Sequence, residues 1–318
     1  MNLNRFLKFH NVPPAQAALA LGMIGLGHAW ALYIPQIGMF VRPYLAGLGA
    51  LLLIPVLIKY LTNYRLLLSD LRHPLNGSLL APLTMALLVL CDYLAVISPL
   101  IAYPIWFTSL TLHLTMMMLF FYFQFRQFKL ANVVPSWFLY PVGLISSSLA
   151  GTKFGHTVFS ESLVNLCIAI YFFTLPIVLY RLMFEGSLPR PARPTLTIMA
   201  APINLSLASY LVNFRQPDPI LTGALAGIAI TMTLTIYLCY FRLMRLKFHP
   251  SIAAVTFPSV ISAIAMYRLT SFFEQYQPQW QWLHKFGFFE LSIATGLVIW
   301  VTLRYIKMYW PEIFSRKN

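Results

Sequence analysis

Apolar stretches follow one another along almost the whole sequence, near 13 to 33, 40 to 62, 75 to 97, 100 to 125, 135 to 151, 158 to 184, 194 to 213, 218 to 244, 250 to 270 and 284 to 308. A helix needs about 20 apolar residues to cross the hydrocarbon core of a bilayer, and a spanning segment must satisfy its backbone internally. The pattern therefore predicts an all-α integral membrane protein of ten transmembrane helices, with residues 1–318 forming one transmembrane domain. Apolar residues make up 59% of the chain and charged ones 9%, against about 25% charged in ordinary soluble domains. That balance excludes a soluble globular enzyme. The first stretch follows Arg5 and Lys8 as a signal peptide would. It is too long for such a segment and nine more follow, so it reads as a retained helix.

The formal net charge is +14, and the basic residues are unevenly placed. With ten spans, only Arg42, Lys153, Arg215, Arg268 and Lys285 fall on one side, and the other 17 fall on the side of both termini. The excess of Lys and Arg marks the cytoplasmic side. Both termini are expected in the cytoplasm, with the chain in a plasma membrane, a bacterial inner membrane being the expected one. Topology, with contact to anionic lipid headgroups, accounts for the basic excess. No basic patch with interleaved aromatics sits in a polar context, so no nucleic-acid partner is expected.

Odd-numbered stretches open on related text: Val12-Pro13-Pro14, His73-Pro74, Val134-Pro135, Arg193-Pro194 and His249-Pro250. From Pro14 the steps are 60, 61, 59 and 56 residues, the signature of a repeated unit. The units are five helical hairpins, roughly 13–62, 75–125, 135–184, 194–244 and 250–308. A second proline follows in four of them, Pro82, Pro141, Pro202 and Pro258, at offsets of 8, 6, 8 and 8, and Gly22 takes that place in the first. Proline inside a helix removes a hydrogen bond and clashes with the preceding turn, so a kink is expected at each of these five positions. Kinks repeated at one depth fit an inner ring of odd helices around a shared axis, with the even helices outside.

Small and weakly polar residues concentrate on the odd helices, among them Gly25, Ser78, Thr84, Ser146, Ser148, Asn204, Ser206 and Ser259. They suit close packing and a polar lumen alike. Even helices are bulkier, as in 116–123 (MMMLFFYF) and 171–173 (YFF), and fit a lipid-facing wall.

Cys91, Cys167 and Cys239 lie in apolar stretches without the paired spacing of a zinc or redox motif. No nucleophile elbow, zinc-protease helix or phosphate-binding loop is present. Neither enzyme activity, nor a metal, nor a cofactor is expected.

Ionisable groups at membrane depth are functional candidates because placing them there is costly. Asp92, Glu161, Arg268 and Glu290 fall toward the non-cytoplasmic ends of their spans, where they reach water or pair, for instance Arg268 with Glu290 or Asp92. His28 faces a vestibule or packs through a hydrogen bond. His113, on an even helix, is expected to satisfy a neighbouring backbone or hydroxyl group. Candidate vestibule or pore polar groups are thus His28, Asp92, Arg268 and Asn204. No acidic residue stands in the central third of an odd helix, and no ring of Lys or Arg is expected in the lumen. That favours a passive gated pathway over proton symport.

Five stretches, 14–30 (PAQAALALGMIGLGHAW), 73–85 (HPLNGSLLAPLTM), 137–148 (WFLYPVGLISSS), 194–210 (PTLTIMAAPINLSLASY) and 256–266 (TFPSVISAIAM), in this order and spacing, resemble the tellurite-resistance and dicarboxylate transporter family. That family includes sulfite exporters, malate permeases and plant guard-cell slow anion channels. The resemblance implies five hairpins in quasi-fivefold arrangement around a pore in each protomer, homotrimers, and a phenylalanine on the ninth helix that closes the pore. The matching position is Phe257, just before Pro258. Phe257 also lies about 10 Å along its helix from Pro250, near mid-membrane. The sequence departs from relatives at 16–19 (QAAL), where a glycine-aromatic-glycine stretch is frequent, and at the shortened offset of the third unit. There Tyr140 precedes the kink and is either a second aromatic constriction or an outward interfacial ring, the outward reading being favoured.

The function expected is a gated anion channel or channel-like anion transporter for small inorganic or organic anions. The alternative is a secondary transporter or exporter of a C4-dicarboxylate, sulfite or tellurite-type oxyanion.

Overall fold

The structure is a computed structural model, and it describes residues 9–275, 280 and 282–310. Among these residues there is no β-strand. Twelve α-helices are joined by 3-10 turns: α1 Gln16–Tyr33, α2 Pro35–Thr62, α3 Tyr64–Arg72, α4 Pro74–Ser78, α5 Ala81–Ile97, α6 Pro99–Arg126, α7 Ser146–Gly151, α8 Thr157–Phe184, α9 Ala201–Asn213, α10 Pro219–Leu243, α11 Thr256–Glu274 and α12 Trp282–Tyr309. Eight stretches of helix among the described residues are long and apolar enough to cross a membrane. The chain is an integral membrane protein.

Proline sets most of the helix starts. Pro35, Pro74, Pro99 and Pro219 each occupy the first position of a helix, where the missing N–H would be unpaired anyway and the fixed φ suits the turn. Side chains complete several caps: Asp218 Oδ1 accepts from Leu221 N at 2.7 Å, and the imidazoles of His73 and His249 accept from Asn76 N at 3.2 Å and Ser251 N at 3.3 Å. The last two are one device repeated in two units.

The second prolines act differently from a kink inside a continuous α-helix. Pro82 and Pro202 are the second residues of α5 and α9, and Pro258 the third of α11. Each α-helix is preceded by a separate entry segment: α4 and a turn before α5, the 3-10 stretch Arg190–Met199 before α9, and Pro250–Val255 before α11. Proline is tolerated in a first turn, so it marks where the entry segment gives way to the α-helix. The third unit departs further. The helix expected over 135–151 is broken into the 3-10 turns Pro135–Leu139 and Gly143–Ile145 and the six-residue α7, with Pro141 in the break. In the first unit no break occurs, and α1 runs unbroken through Gly22. What glycine provides there is clearance, because a Cβ would lie 2.5 Å from Thr256 Oγ1 and 2.7 Å from Thr256 Cβ.

Burial separates two classes of segment. In the most apolar window of Pro250–Glu274, 94% of residues are buried, in that of Arg190–Asn213 83% and in that of Pro74–Ile97 56%, against 39% in Trp282–Tyr309 and 33% in Pro35–Thr62, Pro99–Arg126, Thr157–Phe184 and Pro219–Leu243. Large apolar side chains such as Phe40, Leu100, Phe173 and Leu238 point outward, as a lipid-facing wall requires. The even helices are two-faced: Phe120 and Tyr171 are fully buried, while Met118 and Tyr122 are exposed.

Among the buried segments α1 packs on α5, α5 on α7, α7 on α9, α9 on α11, and α11 back on α1. Lipid supplies no hydrophobic drive between helices, so close packing and hydrogen bonds of about 1 kcal/mol each must hold them. The units are stitched accordingly. Ser78 Oγ lies 2.7 Å from Ser136 Oγ, Asn213 Nδ2 donates to Ser148 Oγ at 3.0 Å, Thr197 Oγ1 lies 3.0 Å from the Ala254 carbonyl and Thr256 Oγ1 3.0 Å from that of Ala18.

Candidate functional site

A cavity of about 40 Å³ lies between the buried segments, and all five contribute to its wall. Ile24, Gly25 and His28 come from α1, Val89, Asp92 and Tyr93 from α5, Leu149 from α7, Leu205, Ala208, Ser209 and Val212 from α9, and Phe257, Ile261, Ile264 and Arg268 from α11. Arg42 and Ala46 of α2 complete it. The four α11 residues recur at steps of 4, 3 and 4, one face of a 3.6-residue helix, and span about 16 Å of its axis.

The cavity has two chemically distinct ends. Phe257, 5% exposed, lies at the apolar end, at the level where α11 meets Gly22. From there α1 and α11 run parallel: Gly25 faces Val260 and the Tyr33 and Tyr267 rings stack with centroids 5.7 Å apart. His28 is six residues, about one and two-thirds turns, beyond Gly22, toward Arg268. At that far end charged groups gather. Arg42 Nη2 donates to Asp92 Oδ2 at 2.9 Å, and its guanidinium lies 5.2 Å from the Tyr93 ring centroid. Lys153 Nζ lies 2.6 Å from Asp92 Oδ1 and donates to the Asp92 carbonyl oxygen at 2.6 Å. Asp92 is thereby held by two cations. Arg268 Nε and His28 Nδ1 are both buried without a hydrogen-bond partner.

Three of the four polar candidates read from the sequence, His28, Asp92 and Arg268, line this cavity. Asn204 does not. Its side chain, 3% exposed, donates to the Ala200 carbonyl at 2.8 Å and to Thr233 Oγ1 at 2.9 Å, tying α9 to α10. The expected pairing of Arg268 is also corrected. Among the described residues it forms an ion pair with neither Asp92 nor Glu290, because Arg42 and Lys153 already occupy the Asp92 carboxylate. Glu290 is buried on α12, its Oε2 without a hydrogen-bond partner, and Glu161 on α8 is not part of the wall.

Tyr140 is neither outward nor a constriction. It is fully buried, its hydroxyl donates to the Gly77 carbonyl at 2.9 Å, its ring lies 5.0 Å from that of Phe120, and it is absent from the cavity wall. The broken backbone at 140–142 turns the ring into the neighbouring unit. His113 bridges as expected: Nε2 donates to the Tyr140 carbonyl at 2.8 Å, which leaves Nδ1 to accept from the Thr84 hydroxyl at 2.6 Å. Arg42 and Lys153 were legible only as topology signals. The clue to more lay in their scarcity, since three of the five basic residues on the poorer side converge here with Asp92.

Groups that could hold a metal ion are absent among the described residues. What the arrangement offers is a narrow cavity with the Phe257 ring at its apolar end and Arg42, Asp92 and Arg268 at the other. Residues 11–306 match the family model described as voltage-dependent anion channel. The chain belongs to the voltage-dependent anion channel family. Within curated proteins it is 28% identical over 181 residues to the uncharacterized transporter MJ0762 of Methanocaldococcus jannaschii, covering 52% of this chain and 51% of the relative. It is 25% identical over 186 residues to the uncharacterized transporter MJ0576 of the same organism, covering 54% and 53%. The chain thus spans about half the length of the curated relatives it matches. This voltage-dependent anion channel family is one of channels and transporters, in agreement with the absence of a catalytic motif from the sequence.

Proposed function

We propose that the protein is a gated anion channel whose pore follows the axis enclosed by the five buried segments and whose gate is the Phe257 ring. The observation that carries this reading is the cavity wall: five segments, one from each hairpin, all contribute to it, and Phe257 stands at its apolar end. The cyclic order of contacts from α1 through α5, α7, α9 and α11 back to α1 supports a quasi-fivefold arrangement of ten spans, with the first unit contributing α1 and the third the broken stretch 135–151.

An ion passing this axis meets an apolar wall, where dehydration is costly. The 3-10 entry segments leave backbone dipoles without regular α-helical partners, and these lower the barrier for an anion. Among the described residues of the wall there is no carboxylate ring that would favour cations, and the acid present, Asp92, is already neutralised by Arg42 and Lys153. Both termini are proposed to face the cytoplasm, and the protomer to associate as a trimer in a plasma membrane.

A second reading, a saturable exporter or symporter of dicarboxylate, sulfite or tellurite-type anions, is favoured by the description of both relatives as uncharacterized transporters. Vesicle assays separate the two. With an encapsulated anion-sensitive dye, Phe257→Ala vesicles are expected to admit chloride and nitrate rapidly and without saturation, and wild-type vesicles slowly. Saturable, proton-dependent malate or sulfite uptake by wild type, with no effect of Phe257→Ala on chloride entry, would replace the channel by the carrier.

A further inference from the structure

We propose that a groove on the outer wall, between α6 and α8, holds one acyl chain of an anionic phospholipid whose headgroup is met by Arg126 and Lys129. The inference does not depend on the pore reading. Only the leaflet, that of the cytoplasmic side, follows from the orientation proposed above.

The groove, of about 210 Å³, is lined among others by Phe121 and Phe125 of α6, Trp137 and Pro141 of the third unit, and Thr174 and Ile177 of α8. It follows from the broken backbone of that unit. Trp137 packs edge-on against Phe120 and Phe121, with ring centroids 5.3 and 6.0 Å apart, and Phe138 lies 5.7 Å from Tyr171, so the 3-10 stretch floors the gap between α6 and α8. Tyr140 is turned away toward Gly77 and does not fill it. Thr174 is ten residues, about 15 Å, from the end of α8, half of a hydrocarbon core about 30 Å thick. The groove thus has the reach of a chain from one leaflet. Phe125, Phe128 and Ile177 are exposed along it, so it opens toward the bilayer. It offers no polar partner: the Thr174 hydroxyl donates to the Ile170 carbonyl at 2.8 Å, and the Trp137 indole nitrogen is buried away from it.

Size and charge select the occupant. A helix about 10 Å across takes up roughly 420 Å³ per turn, twice the groove, so a helix of a second copy does not seat there, whereas a hydrocarbon chain does. Arg126 and Lys129 adjoin the groove residues Phe125 and Phe128 in sequence and are exposed, and the Arg126 guanidinium is steadied by the Tyr122 hydroxyl at 3.0 Å. Buried Arg181, whose Nη2 donates to the Ala131 carbonyl at 3.1 Å, adds to the positive field. Among the described residues none of these three forms an ion pair, and against them stands Glu185 at the end of α8. Each basic residue at a membrane surface favours an anionic headgroup about fivefold.

Native mass spectrometry tests the site. Protein reconstituted in equimolar phosphatidylglycerol and phosphatidylcholine, then released into detergent and the gas phase, should retain one phosphatidylglycerol per protomer. In Arg126→Gln, Lys129→Gln protein the retained ratio of phosphatidylglycerol to phosphatidylcholine should fall about 25-fold. Ile177→Trp, which fills the groove, should abolish retention, and Leu238→Trp, at an exposed position outside it, should leave it intact. Equal retention of the two lipids by wild type, no retained lipid, or retention unaltered in the charge variant overturns the proposal. A wild type without lipid whose oligomer dissociates on Ile177→Trp, read by light scattering, assigns the groove to a second copy instead. If Ile177→Trp does not fold, the two exposed basic positions decide.

Discussion

Gly22 of α1 and Thr256 of α11 approach so closely that a Cβ on Gly22 would lie 2.5 Å from the Thr256 hydroxyl oxygen. Thr256 precedes Phe257, and its hydroxyl lies 3.0 Å from the Ala18 carbonyl, so the same contact fixes the start of α11 against α1. Gly22→Ala should therefore lower stability by about 1–3 kcal/mol, the usual cost of overpacking, read as a lower midpoint of thermal unfolding in detergent. Adding Thr256→Ala should recover part of the loss, because the nearest atom is then gone. A Gly22→Ala protein as stable as wild type would show that the interface yields freely.

His113 is placed as a brace, with one ring nitrogen on the Tyr140 carbonyl and the other on Thr84. His113→Ala is expected to destabilise by about 2–4 kcal/mol, combining lost hydrogen bonds with a cavity. It should leave the pH dependence of anion flux unchanged. Flux that loses its pH dependence in a folded His113→Ala protein would instead support proton coupling.

Asp92 holds Arg42 at 2.9 Å and Lys153 at 2.6 Å, joining α2, α5 and the Thr152–Phe154 turn. Asp92→Asn should cost about 1–3 kcal/mol, since both cations lose a partly buried charged acceptor. In the Phe257→Ala background it should also move the reversal potential further toward that of the anion, because the mouth then carries one more unbalanced positive charge. A shift toward the cation would refute this electrostatic account of the mouth.

Orientation can be read by cysteine labelling in a Cys239→Ser background, since Cys91 and Cys167 are buried and Cys239 is half-buried. Lys129→Cys and Arg215→Cys are both at exposed positions and should react from opposite faces, Lys129→Cys from the cytoplasm. Reaction of Arg215→Cys from the cytoplasm and Lys129→Cys from the opposite face would reverse the topology drawn from the basic residues, and reaction of both from one face would refute the number of spans between them.

The all-helical membrane character and the division into more buried and more exposed segments were legible because proline and apolar length are local signals. What could not be read was local backbone choice and side-chain partnership. An offset of 8 leads to a proline in the first turn of α5 and α9, whereas the offset of 6 in the third unit leads to a broken segment that buries Tyr140. Asn204 and Asp92 look alike in sequence as polar residues on odd helices. Only the fold turns Asn204 toward Thr233 and brings Arg42 and Lys153, 111 residues apart, onto one carboxylate.

The most direct test of the central claim is the current carried by purified protein in planar bilayers, wild type beside Phe257→Ala, in asymmetric chloride. The account predicts little current from wild type and a large current from Phe257→Ala that reverses near the chloride equilibrium potential. Near-zero current from well-folded Phe257→Ala protein, or a reversal potential near that of the cation, would contradict it.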